Sequence, residues 1–324
     1  MDGQYSDILV IGAGMAGLAC ASELARSGAR VTVIDKGRGP GGRMAARRVE
    51  IAGETVSFDH GAQYFTARDA AFRETVAEWE QAGVVARWPA AGEEAWVGVP
   101  GMNAPIRAMA SALDVRWGVR ACTLTRCHDQ WFVDAGDEGF TAAIVLVAVP
   151  AEQASEILAV TVPDLAAIAA SVRSEPCWAV MAAFSERLSP AADTFRSDAA
   201  PVSWAARNSA KPGRSGAEGW VIHASPARSR ELLDVPREEV AHILLADFFA
   251  ACRIAPVTPV HLHAHRWLYA LPQPLAGEDA RFDPALGLGL AGDWLHSPRV
   301  EGAFVSGRAL AALVLAQAAA GAGQ

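Results

Sequence analysis

The stretch Asp7–Arg43, DILVIGAGMAGLACASELARSGARVTVIDKGRGPGGR, decides the fold. Ile8 to Ile11 form an apolar run short enough for a buried parallel strand. The pattern Gly12-x-Gly14-x-x-Gly17 follows. Its glycines allow, in order, a tight turn out of the strand, close approach of backbone to a pyrophosphate, and close packing of the next helix on the sheet. That helix is expected from Ala16 to Ser27, stopping at Gly28. A second apolar strand, Val31 to Ile34, ends in Asp35. An acid there accepts hydrogen bonds from both ribose hydroxyls of an adenosine and repels a 2′-phosphate. Strand, helix, strand and acid fall in register and predict a clamp for a dinucleotide. Just beyond, Gly39-Pro40-Gly41-Gly42-Arg43 is a loop too flexible to be needed for packing, and it ends in a guanidinium suited to phosphate.

Composition narrows the setting. A chain of 324 residues is long enough for two domains sharing one large core. A net charge of −8 argues against nucleic acid or an anionic membrane as partner, since both need a basic face. Cys20, Cys122, Cys127, Cys177 and Cys252 are odd in number and lack CxxC spacing, as expected of reduced thiols in a cytoplasmic protein. Asp2 and Asp7 precede the first apolar run where a signal peptide would carry basic residues. The alanine-rich segment 302–321 carries Arg308 and Gln317, which argues against a membrane span.

Along the chain, 47–52 and 55–59 read as a hairpin around Gly53-Glu54. It leads into Asp59-His60-Gly61-Ala62-Gln63-Tyr64-Phe65, where a glycine followed by small, amide and aromatic residues suits backbone passing close to a flat ring. Trp96 to Asn103 is turn-rich, with Asn103 as the expected N-cap of a helix over 104–113. Strands are expected at 115–119, 121–126, 131–135 and 140–149, then helices at 151–159 and 164–171. From 176 the texture changes to longer strands (177–185, 219–224, 258–271) with one helix near 236–252. This predicts a discontinuous dinucleotide domain (1–90, 100–171, 285–324) and an inserted antiparallel domain at 172–284, with 91–99 as a further contributor.

The run His261-Leu262-His263-Ala264-His265-Arg266-Trp267-Leu268-Tyr269 alternates strictly. Same-face positions lie about 6.6 Å apart, awkward for three ligands to one ion, so no metal is expected. His265, Trp267 and Tyr269 are instead expected to face a pocket. Near the end of the chain, Leu290-Ala291-Gly292-Asp293 reads as a strand ending in Gly-Asp, and a helix begins near Val300. The free N–H groups of such a helix start suit a ring edge that gains negative charge.

Together, GAGMAG with Asp35 and Gly41-Gly42-Arg43, DHGAQYFTARD at 59–69 and AGDW…RVEGAFVSG at 291–307 resemble the renalase-like branch of the FAD-dependent amine oxidase superfamily. WVGVPGMN at 96–103, WAARNSAKPGR at 204–214 and AHRWLYA at 264–270 extend the resemblance over nearly the whole chain. It implies an α/β, two-domain, p-hydroxybenzoate-hydroxylase-like fold holding FAD non-covalently. Gly12, Gly14, Gly17, Asp35 and Arg43 would take the ADP half, with Val119 at the adenine. Gln63, Tyr64 and Phe65 would line the isoalloxazine, and Asp293, Val300 and Glu301 the ribityl chain and pyrimidine edge. Ala16, Lys36, Gly42, Gly61, Ala62 and Ala303 complete the expected contacts.

Typical amine oxidases place a lysine beside the flavin N5 through a water. This chain has only Lys36 and Lys211, the second in a Pro/Gly loop, and only Tyr5, Tyr64 and Tyr269 as tyrosines. The resemblance therefore points to oxidation of 2- and 6-dihydro isomers of NAD(P), with O2 as acceptor and hydrogen peroxide as product. The substrate ring already carries a transferable hydride, so no general base is needed. Gln63, Tyr64, His265, Trp267 and Tyr269 are the substrate-facing candidates. An amine oxidase, an NAD(P)H-dependent hydroxylase of the same fold and a non-enzymatic FAD-binding protein stand as alternatives.

Overall fold

The computed structural model describes residues 4–189 and 192–322. In chain order its elements are β1 (Gln4–Ile11), α1 (Met15–Arg26), β2 (Val31–Asp35), β3 (Ala46–Ile51), β4 (Glu54–Asp59), α2 (Ala70–Gln81), β5 (Val85–Arg87), β6 (Trp96–Gly98), α3 (Ala104–Ala110), β7 (Asp114–Trp117), β8 (Thr123–Cys127), β9 (Gln130–Asp134), β10 (Gly139–Val147), α4 (Ala151–Leu158) and α5 (Pro163–Ala170). There follow β11 (Ser174–Phe184), β12 (Thr194–Arg196), β13 (Val202–Arg207), β14 (Glu218–Ala224), α6 (Pro226–Glu231), α7 (Arg237–Cys252), β15 (His261–Pro272), β16 (Arg281–Asp283), β17 (Leu288–Leu290) and α8 (Val300–Ala322).

The first sheet runs β16-β17-β10-β1-β2-β7, with β17, β10, β1, β2 and β7 parallel and the β8–β9 pair joined antiparallel to β10. Its central strand explains its own composition. Ile8 and Val10 point into a core shared with Leu18 of α1 and Leu310 of α8, while Leu9 and Ile11 point into another shared with Ala154 of α4 and Leu165 of α5. A strand covered on both faces reads as an unbroken apolar run. Alpha helix α8 lies close along α1, so close that a Cβ on Gly307 would sit 2.0 Å from the Ala16 carbonyl oxygen. Its Val300–Ala320 stretch is long and apolar enough, by length and composition, to cross a membrane.

The second sheet is antiparallel, in the order β12-β13-β14-β11-β15. One face is filled by α7, where Leu244, Phe248 and Phe249 pack on Val180, Trp220 and Ile222. Part of the other face receives Val56 and Phe58 of the β3–β4 hairpin against Met181, Ala183 and Val221. The hairpin thus carries the chain between the two sheets and delivers Asp59–Phe65 to the seam.

Several local expectations change. Asn103 does not cap α3 with its side chain; its amide reaches back to the Pro40 carbonyl at 3.2 Å and ties α3 to the Gly-Gly-Arg loop. Trp96–Gly98 is a strand paired with β5, and Trp96 bridges Phe65. Strands β12 and β13 and helix α6 were not expected: β12 has three residues, and β13 lacks a clean alternation because Ala205, Ala206 and Arg207 are all buried.

Candidate cofactor and substrate site

The clamp is built by backbone. A Cβ on Gly17 would stand 1.8 Å from the Gly12 carbonyl oxygen, and one on Gly12 2.6 Å from that of Ala148. A Cβ on Gly14, by contrast, would meet nothing within 4 Å. Two glycines hold helix to strand, and the third leaves a cradle. Above it, Gly42 has φ +52° and would bring a Cβ to 3.8 Å from the Gly14 Cα. The N-terminus of α1 has no side-chain cap and no acid in its first turn, so its N–H groups are left for an anion. Asp35 accepts from the Ala13 N–H at 2.7 Å and the Gly37 N–H at 2.6 Å, which fixes its carboxylate at the strand end. The Val119 N–H is engaged by the Asp35 carbonyl at 2.9 Å, and Lys36 Nζ donates to Gln153 at 2.9 Å. Arg43 and Asp293, 250 residues apart, form a bidentate pair at 2.7 and 2.8 Å. Both ends of the chain thus meet at one point. An open cradle, uncapped helix N–H groups, an arginine and a strand-end acid are the donor and acceptor set a dinucleotide needs, and the residues fit FAD.

The Asp59–Phe65 segment is locked onto that clamp. The Ala62 N–H donates to the Arg43 carbonyl at 2.8 Å, and only glycine fits at 61, since a Cβ there would lie 2.1 Å from the same oxygen. Gln63 is buried and donates through Nε2 to the Asp59 and Gly61 carbonyls. Its Oε1 accepts from Lys211 Nζ at 3.2 Å. Lys211 also donates to Asp59 at 3.1 Å, where Arg214 makes a second ion pair. The Pro/Gly loop therefore does not leave Lys211 at the surface but folds it wholly inside, 5.2 Å from the centre of the Trp88 ring. Burial, with Arg214 alongside and Asp59 opposing, brings the Lys211 ammonium down to about 8. Burial raises the Asp59 carboxyl, but Lys211, Arg214 and the Met102 amide outweigh it and hold the group below its ordinary value.

Facing this segment is the antiparallel sheet. One row crosses all five of its strands: Arg196 opposite Trp204, Trp204 opposite His223, His223 opposite Ala179, Ala179 opposite His265. Directly paired residues share a face, so this row is presented to Asp59–Phe65 together. His223 lies 3.4 Å from Gln63 Nε2. His265 meets the edge of His60 at 4.8 Å, and Trp267 stacks on His60 at 5.2 Å while donating to its carbonyl at 2.9 Å. Burial first, then neighbouring cations, holds His60, His223 and His265 down to about 4. At neutral pH this part of the site is a set of uncharged rings.

Of the substrate-facing candidates, Gln63, Tyr64, His265 and Trp267 are brought together, and Tyr269 follows two residues beyond Trp267 on β15. Partial burial, with the negative charges of Glu156 and Glu152 of α4, raises the pKa of its phenol. The Phe65 ring is buried against Phe72 at 5.8 Å, and its backbone N–H and carbonyl are both paired with Trp96, at 2.9 and 2.8 Å. Glu301 accepts from the Arg68 and Asp69 N–H groups, the latter at 2.7 Å, and so secures the start of α2 rather than presenting a free carboxylate. Val300 and Ala303 pack at the edge of the core at the start of α8. His60, His223, Trp204 and Arg196 were not among the expected site residues, and Lys211 was weighed only as a lysine in a Pro/Gly loop. They come together only through strand register and the fold of the 208–214 loop, for which the sequence carries no local signal.

Comparison with known proteins agrees with this geometry. Residues 10–79 match the NAD(P)-binding Rossmann-like domain, and residues 80–315 match the flavin containing amine oxidoreductase family. The alpha subunit of sarcosine oxidase from Corynebacterium sp. (strain U-96) is 43% identical over 63 residues, 19% of this chain and 6% of that subunit. The matching segment thus spans a small fraction of that relative. Among solved structures, an Exiguobacterium sp. 255-15 protein assigned as a protoporphyrinogen oxidase superposes with a TM-score of 0.75 at 12% identity, covering 97% of this chain and 99% of that one. Putrescine oxidase bound to putrescine gives 0.69 at 15% identity over 97% and 100% of the two chains. Cyclohexylamine oxidase from Brevibacterium oxydans IH-35A gives 0.65 at 12% identity over 97% and 99%. These likenesses concern the fold, whereas the family match covers most of the chain. The chain belongs to the flavin containing amine oxidoreductase family and is an FAD-dependent oxidoreductase.

Proposed function

We propose that this enzyme belongs to the renalase-like branch and oxidises 2- and 6-dihydro isomers of NAD(P), with O2 as the electron acceptor and hydrogen peroxide as product, in the cytoplasm. The observation that carries this reading is the charge of the seam. Asp59, Lys211 and Arg214 leave it one positive charge in excess, and the rings of His60, His223 and His265 are neutral at pH 7. An uncharged, flat dihydronicotinamide is accepted there, whereas an ammonium group meets like charge. FAD supplies the hydride acceptor. Gln63, Tyr64, His60 and Trp267 orient the substrate ring and exclude water, and Lys211, held by Asp59 and Gln63, offsets negative charge that develops nearby.

A second reading rests on Lys211 itself. Its depressed pKa, about 8, makes it a usable proton acceptor in mildly alkaline solution, as amine oxidation would require. The two readings separate in anaerobic mixing. With 6-dihydro-NAD the oxidised-flavin absorbance should bleach within the mixing time course, and putrescine or cyclohexylamine should leave it unchanged. Bleaching by the amines alone would establish the second reading.

A further inference from the structure

One end of the row across the antiparallel sheet is unlike the rest. Its members from Trp204 to His265 are uncharged at neutral pH, and Arg196 on the short edge strand β12 closes the row with a fixed cation. Arg196 is positioned rather than loose. Its Nη2 donates to the Tyr64 hydroxyl, and its guanidinium lies 5.0 Å from the centre of the Trp204 ring. Tyr64 and Trp204 are themselves in contact, ring centres 5.4 Å apart. Among the described residues no carboxylate pairs with Arg196, and the Trp204 indole N–H is buried without an acceptor. A guanidinium held in place by an aromatic face and a hydroxyl, with the rest of its donor fork unneutralised, is suited to a phosphate or pyrophosphate oxygen.

Spacing says which part of a ligand reaches it. Strands in a sheet lie about 4.8 Å apart, so Arg196 stands two spacings, about 10 Å, from His223, which touches Gln63. That is comparable with the reach of one ribose between a nicotinamide ring and its first phosphate. We infer that Arg196, carried on Trp204 and Tyr64, is a specificity-determining residue that binds the pyrophosphate of the dihydronicotinamide dinucleotide, an inference resting on the function proposed above. A substrate lacking that anion loses the contact; a free amine gains nothing from it.

The test uses the FAD-loaded enzyme, wild type, Arg196→Gln and Arg196→Lys, titrated with ADP-ribose and followed by tryptophan fluorescence. In Arg196→Gln the Kd for ADP-ribose should rise by about ten- to a hundred-fold, Arg196→Lys should recover part of the loss, and added salt should weaken wild-type binding most. In turnover, Arg196→Gln should raise KM for 6-dihydro-NAD by a similar factor, and KM for the 6-dihydro nucleoside, which lacks the anion, by much less. Equal ADP-ribose affinity in wild type and Arg196→Gln overturns the inference, as does an equal KM rise for dinucleotide and nucleoside. If no dihydronicotinamide bleaches the wild-type flavin but ADP-ribose binding still depends on Arg196, the proposed reaction falls and the anion site stands.

Discussion

The clamp at Gly12–Arg43 and the roof formed by the antiparallel sheet handle the same problem, holding a flat ligand, by opposite means. The clamp works through main chain: Gly12 and Gly17 are places where any Cβ would strike a carbonyl oxygen, and Gly14 is a place where it would strike nothing. The roof works through side chains from five strands brought into one row, and through a buried ionic knot, Asp59 with Lys211 and Arg214, that fastens the 208–214 loop to the end of β4. Backbone sites tolerate almost no change of residue but are insensitive to pH. A roof of buried titratable groups should behave in the reverse way.

The largest effect is expected at the knot. Asp59→Ala leaves Lys211 and Arg214 as buried cations without their carboxylate, and should lower stability by about 3–5 kcal/mol, read by chemical denaturation. A loss below about 1 kcal/mol would mean that water or another acid takes the place of Asp59, and the seam would not be held by this pair.

Next come the glycines. Gly17→Ala places a methyl group 1.8 Å from a carbonyl oxygen and should cost about 1–3 kcal/mol in the cofactor-free protein, since strand and helix must separate. Gly14→Ala should leave that stability within about 1 kcal/mol and lower FAD affinity about tenfold or more. The pair of measurements breaks the comparison if both variants lose stability equally, because the cradle at Gly14 would then be a packing feature.

This contrast also explains what could be read in advance. The Gly12–Asp35 segment was legible because its constraints act between near neighbours: turn, helix start and strand end each leave a residue-level mark. The strand before Asp293 was legible as an apolar run, although it ends at Leu290 and Asp293 lies in the turn that follows. The roof was half legible. Alternation along 261–269 placed the histidines on one face, and they do share it, contacting Phe58, Arg47 and His60 in turn. Tyr269 lies further along the same strand, where Glu156 and Glu152 of α4 raise the pKa of its phenol. Lys211 failed because composition identifies a loop but not whether the loop is folded inward. Trp204 and Arg196 depended on the register of β12 with β13, which three residues of strand cannot announce.

Acid should separate the two regions next. The folded-state values of His60, His223 and His265, about 4, lie below the ordinary 6.5, so between these pH values the unfolded chain binds more protons. The histidine contribution to stability is full above pH 6.5 and falls as pH drops toward 4. Asp59 is shifted below 3.8, so its contribution persists through that window and is lost only at lower pH. Melting temperature against pH should show two steps, and His223→Gln should shrink the upper step without moving the lower. A single step below pH 4 would mean that the roof histidines are solvated.

The smallest effect sits where roof touches clamp. Trp267 donates to the His60 carbonyl at 2.9 Å, and its ring lies 3.5 Å from where a Cβ of Gly61 would be. Trp267→Phe keeps an aromatic face and removes the donor, for a cost of about 1 kcal/mol. Trp267→Ala removes the face as well and should slow flavin reduction by substrate. Neither should weaken FAD binding, because the Gly12–Arg43 backbone and the Arg43–Asp293 pair make no use of the indole. If Trp267→Phe released FAD as readily as Gly14→Ala, the His60–Gly61 backbone would be a shared wall. Roof and clamp would then be one site set by the Asp59–Phe65 segment between them.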